Sequence, residues 1–188
     1  MMFRSKIARL ALGSLVACLA SAAVASPPAE SSANRPEGTW LLDVNFPPQF
    51  NNPPLRFKEI VTFHAGGTLT ETNSTLNAAS GVIGFPAGFG LVGSDGQGTW
   101  SRTPQGQIKV VFHKMAFCGT AALGLCTQFS KSPGDMLGYL VVRLTATVKG
   151  DALEVPLGGS TTLLVGPTPD GALPIPFGEA EATGIRLR

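Results

Sequence analysis

Few residues in this sequence have the type and spacing to do chemistry. Two carboxylates stand out because they fall on apolar faces of strand-like runs: Glu59 shares a face with Phe57 and Val61, and Glu71 shares one with Leu69. A carboxylate turned into a core is costly unless paired, so each either meets a cation, Arg186 being one choice, or has its pKa raised. Such a group can orient a ligand or serve as an acid or base, which makes Glu59 the catalytic candidate. The competing reading is a register one residue away, which turns these side chains to solvent. The two histidines are His64, beside a turn, and His113, within a strand-like run. No His, Cys or carboxylate spacing has the pattern of a transition-metal site, and there is no Gly-x-Ser-x-Gly elbow or phosphate-binding glycine loop. Neither metal nor cofactor is implied, and a hydrolytic triad would depend on His113.

Cysteine use points to export. Cys118 and Cys126 flank the apolar segment Gly-Thr-Ala-Ala-Leu-Gly-Leu, and in an oxidising compartment they pair; the alternative is two free buried thiols. The third, Cys18, lies in an N-terminal stretch with Arg4, Lys6 and Arg9 as a positive region, Leu10 to Ala20 as an apolar region, and Ala23-Val24-Ala25 as a small-x-small cleavage site. Residues 1–25 therefore read as a secretory signal cleaved near Ala25, giving a secreted or periplasmic protein. Leu15-Val16-Ala17-Cys18 also resembles the lipobox of bacterial lipoproteins, so anchoring at a lipidated Cys18 is the alternative. No later stretch is apolar over the ~20 residues that a membrane helix needs.

The chain has 188 residues, 44% apolar and 14% charged, with 23 Gly and 15 Pro. Charge is well below the ~25% of an average domain while turn formers abound, which excludes a long-helix protein and points to β structure. Removing three of the 14 basic residues with the signal, and none of the 12 acidic ones, leaves 11 against 12. A mature chain so nearly neutral, without a basic cluster, is no nucleic-acid or anionic-membrane binder.

Residues 26–37 lack periodicity and read as a flexible leader, with the folded domain spanning 38–188. Eight runs of alternating apolar and polar residues follow: 39–46, 56–64, 68–73, 98–103, 107–117, 138–148, 152–165 and 179–187. Pro156 and Gly158-Gly159 must kink or split the seventh. Connections after the second, fourth and sixth runs are tight, whereas those at 47–55, 74–97, 118–137 and 166–178 are long. An up-and-down antiparallel meander places all hairpins at one end and all long loops at the other. Eight such strands close into an all-β barrel, which leaves no exposed edge.

Gly38-Thr39-Trp40 in the first strand and Thr183-Gly184-Ile185-Arg186 in the last resemble the calycin pattern of lipocalin-like barrels. The resemblance implies that Trp40 packs beneath Arg186 at the closed end. The stretch Thr62 to Thr72 and Gly98-Thr99-Trp100-Ser101-Arg102 also look like a group of secreted bacterial barrel proteins of unknown function.

Three long connections are strongly apolar: residues 79–92, the segment between the cysteines, and residues 172–177. Apolar loops at one barrel end bury one another, cover a ligand or form an interface. Small residues Ala180, Ala182 and Gly184 on one inward face leave interior room. The leading expectation is therefore a non-enzymatic barrel that binds a small hydrophobic molecule at its loop-rich end, with Phe85, Phe89, Trp100, Tyr139 and Phe177 as contacts. One alternative is a cyclase or isomerase resembling allene oxide cyclase barrels, with Glu59 assisting. Another is an interaction module that forms an oligomer through the apolar loops.

Overall fold

A computed structural model describes residues 34–48, 55–73, 91–119, 124–168 and 170–188. The signal, Cys18, and the candidate contacts Phe85 and Phe89 lie outside the described residues.

The described chain is almost wholly strand: β1 (Gly38–Phe46), β2 (Leu55–Phe63), β3 (Thr68–Asn73), β4 (Leu91–Gly93), β5 (Gly96–Arg102), β6 (Ile108–Cys118), β7 (Met136–Lys149), β8 (Ala152–Val165) and β9 (Leu173–Arg186). One short helix, α1 (Leu125–Gln128), interrupts them. Every pairing is antiparallel, β1 pairs with β9 as well as β2, and β6 with β7, so eight strands form a closed barrel. The ninth, β4, pairs with the end of β6 beyond the stretch that β5 covers, and so prolongs the β5 stave. Between them Ser94 holds the ladder, its backbone N–H donating to the Met115 carbonyl and its hydroxyl accepting from the Met115 N–H.

Three expectations need correction. The final strand begins at Leu173 rather than near Glu179, so Pro174 and Pro176 are strand residues. They are tolerated because β9 pairs with β8 alone at that level, its register with β1 starting only at Glu181, and a proline needs no donor toward an open side. The 74–97 connection contains β4 and the first residues of β5. Trp100 sits at the hairpin end, where its indole N–H donates to the His64 carbonyl of the β2–β3 turn at 3.1 Å, and not among the long loops.

Pro156 and the two glycines kink β8 without splitting it. Its ladders to β7 and β9 both lose register there, between Arg143 and Thr147 on one side and between Val155 and Gly159 on the other. Gly158, at φ 131°, supplies the backbone conformation that this bulge requires.

Alternation divides the inward residues into two layers. Toward the hairpins, Trp40, Val61, Phe63, Leu69, Ile108, Val110, Ala146, Val148 and Leu153 form a core that continues into Leu42, Val44, Phe57, Phe112, Val155 and Ala182 further along the barrel. Trp40 is fully buried, its indole N–H donates to the Pro36 carbonyl at 2.7 Å, and the Arg186 guanidinium lies 4.3 Å from its ring centroid. Arg186 also donates to the carbonyls of Arg35 and Glu37, which fastens residues assigned by composition to the leader against the closed end. A second apolar cluster lies toward the long loops, where Leu91, Cys118, Cys126, Leu137 and Leu163 pack with Leu125, Ile175 and Phe177.

Candidate functional site

Between the filled core and the second cluster, the open half of the barrel retains a cavity of about 60 Å³. That exceeds the space of a single water but falls short of a ~150 Å³ void that takes benzene, so an occupant is small or continues outward into the mouth. Its wall is built from alternate residues of six strands, chiefly Leu42 and Phe46, Phe57, Phe112, Leu140 to Leu144, Val155, and Ala180 with Ala182. Phe46 and Phe57 stack with their centroids 6.1 Å apart. The small Ala180 and Ala182 leave space on the β9 side, whereas Gly184, one alternation further, is filled by Leu42.

Glu59, Lys114, Thr161 and Glu181 interrupt this apolar wall, and Glu71 lies behind it as the partner of Lys114. Glu59 points inward in register with Leu42 of β1, its residue only 7% exposed. Its carboxyl makes no hydrogen bond or ion pair among the described residues. Burial raises its pKa well above the ordinary carboxylate value, the nearby Glu71 charge adds to that rise, and Lys114 opposes it. The outward register considered above is excluded.

Glu71, by contrast, is paired. The Lys114 ammonium reaches its two oxygens at 3.0 and 2.7 Å, and both side chains are almost fully buried. Gly96 makes this possible. It stands opposite Glu71 on β5, and a Cβ there would lie 2.5 Å from the Glu71 carboxylate and 3.0 Å from Phe112. The bare glycine lets Glu71 extend across β5 toward Lys114 on β6. Arg186 is not the partner of either carboxylate, since it is spent at the opposite end on Trp40 and on Asp151, 3.3 Å away. Lys114 was missed by the sequence reading, although its alternation with Val110, Phe112 and Ala116 places it inward.

Of the other expected site residues, Phe177 contributes to the second apolar cluster above the cavity. Tyr139 faces outward on β7, its hydroxyl donating to the Pro167 carbonyl at 2.9 Å. Trp100 belongs to the closed half, edge-on to Phe63 with centroids 6.1 Å apart. Cys118 and Cys126 form a disulfide that ties α1 to the end of β6. His64 and His113 are exposed, away from the cavity. Among the described residues no group of three or more His, Cys, Asp or Glu is disposed to hold a metal, and no helix is long and apolar enough to cross a membrane.

Fold and site together define a closed eight-stranded antiparallel β-barrel with an apolar, acid-bearing cavity in its loop-side half. No protein-family model matches the chain, and no curated protein matches it. A solved structure to which it is similar is that of Rv2717c from M. tuberculosis, at 16% identity over 81% of this chain and 92% of that one, with a TM-score of 0.36. That likeness is too slight to carry a statement about this chain.

Proposed function

We propose that the protein is an exported barrel that binds a small, largely apolar molecule in the open half of its interior and does not transform it. The observation that carries this reading is the cavity itself, walled by Phe46, Phe57, Phe112, Val142 and Leu144, while side chains fill the interior nearer the hairpins. A stable core has no use for such a void, because the lining loses packing contacts and the cost grows with its volume. Phe177 stands above it as a further contact. Export is supported by the signal-like residues 1–25 and by the Cys118–Cys126 disulfide, which persists in oxidising compartments.

The test is native mass spectrometry of the mature protein isolated from its own host. A reproducible added mass, lost on denaturation, is the expected result; a clean unliganded mass overturns the reading. The covalent mass separates a chain starting at Ser26 from one lipidated at Cys18.

A second reading is favoured by Glu59 alone. A carboxyl whose burial holds its proton above the ordinary range, in a mainly apolar cavity, can protonate a reactive substrate, as a cyclase or isomerase requires. Isolating the Glu59→Gln variant from the same host decides between the two. The same bound molecule in both proteins supports carriage, and a different one in the variant supports turnover.

A further inference from the structure

Among the described residues Glu59 is a buried carboxyl that makes no hydrogen bond or ion pair, set in a wall that is mainly apolar but also carries Thr161 and Glu181, while Lys114, the only cation lining the cavity among those residues, is already committed to Glu71. Each neighbour narrows what can bind. An anionic ligand would have to approach Glu71 and compete with it for Lys114, which leaves a buried charge uncompensated. A cation would need Glu59 ionised in a site that opposes ionisation, and would sit near the Lys114 ammonium. An alkane satisfies the wall but leaves the Glu59 hydroxyl without an acceptor, a loss borne by a desolvated donor. A neutral molecule with one acceptor oxygen gives Glu59 a partner and leaves the Lys114–Glu71 pair intact.

We propose that the open half of the barrel selects uncharged carbonyl compounds, their apolar chain against the phenylalanine wall and their oxygen accepting a hydrogen bond from the Glu59 carboxylic acid, and that it discriminates against carboxylates. This rests on the binding reading above and adds the chemical class of the ligand.

The test uses four six-carbon probes, methyl butyl ketone, hexane, hexanoate and hexylammonium, titrated at neutral pH into the mature full-length protein and followed by NMR shifts of the cavity methyl groups. The ketone binds about tenfold more tightly than hexane, the worth of one well-placed hydrogen bond, and hexanoate more weakly than either. Glu59→Leu brings ketone and hexane together, whereas Glu59→Gln, whose amide still donates, keeps them apart. Equal binding of ketone and hexane by the wild type overturns the proposal while the apolar-carrier reading stands. Tightest binding of hexanoate overturns it in favour of Lys114 as the receptor, and tightest binding of hexylammonium in favour of an ionised Glu59. Binding of no probe overturns the carrier reading and this proposal with it. The wild-type series decides without any variant having to fold.

Discussion

From the hairpins up to the level of Val61 the barrel interior is occupied by interlocking side chains, Trp40 at the base and Phe63, Leu69, Ile108 and Val148 around it. One layer further toward the long loops, the same strands supply Glu59, Glu71, Lys114, Ala180 and Ala182, and a cavity opens. Strand alternation is identical in both halves, so backbone geometry does not account for the difference. What differs is side-chain choice: apolar residues and a stacked cation at one end, and at the other Ala180, Ala182 and buried ionisable groups set among the phenylalanines. The first set fills its layer, and the second leaves a cavity.

The sharpest way to test this contrast is to damage each half in turn. Trp40→Ala removes a fully buried ring, its hydrogen bond to Pro36 and the surface on which Arg186 stacks. The expected loss is about 3–5 kcal/mol of unfolding free energy in a denaturant titration. In the open half, Lys114→Met strands the Glu71 carboxylate beside Glu59 and costs a similar amount, about 3–5 kcal/mol. The two losses have different remedies. Adding Glu71→Leu to Lys114→Met removes the stranded charge and restores most of the stability, because an apolar pair of similar volume often does as well as a buried ion pair. If the double variant is no better than the single one, the ion pair is a structural element and the contrast between the halves is wrong.

Much of this was legible in the residues. Alternation located all eight barrel strands, the spacing of Gly-rich turns assigned the hairpin end, and the shared parity of Phe57, Glu59 and Val61 offered an inward Glu59 beside the outward register, between which only the pairing with β1 decides. The failures have physical causes. Pro174 and Pro176 read as loop because proline usually ends a strand, and the missing information was which side of β9 would be unpaired. Trp100 was placed at the wrong end because it is the fifth residue of a strand only seven residues long, Gly96–Arg102, and position along the barrel axis depends on boundaries that pattern blurs. The partner of Glu71 was sought in a distant arginine, because only the register across Gly96 brings Lys114 within reach.

The next effect in size concerns the cover of the open half. Replacing Cys118 and Cys126 by Ala releases the eight-residue separation between them and lowers stability by about 2–3 kcal/mol on the chain-entropy account. Since the disulfide packs with Leu91, Leu137, Leu163 and Phe177, the variant also exchanges amide hydrogens faster in that cluster than around Trp40. Uniformly faster exchange would mean that the two layers unfold as one unit.

Packing gives a smaller, paired effect. Ala146→Val adds two methyl groups to the filled half, where Ala146 is 1% exposed, and costs about 1–3 kcal/mol. Ala180→Val makes the same addition to the cavity wall and changes stability by less than about 1 kcal/mol, while it weakens binding of methyl butyl ketone. Equal costs at the two positions would show that the cavity relaxes shut in solution.

The subtlest difference between the halves is in their response to pH. Folding buries Glu59, and that burial, reinforced by Glu71 and opposed by Lys114, makes the folded chain hold this proton more tightly than the unfolded chain does. Below the ordinary carboxylate range both states are protonated and Glu59 contributes no pH dependence. As pH rises through that range the unfolded chain releases the proton first, so stability falls until the folded Glu59 ionises as well. Glu59→Gln cannot titrate. Thermal melts of the two proteins should therefore nearly coincide at about pH 4 and separate by about pH 8, with the variant the more stable. A gap that stays constant across this range would show that Glu59 is ionised in the folded barrel, and the cavity would then hold a carboxylate, not an acid.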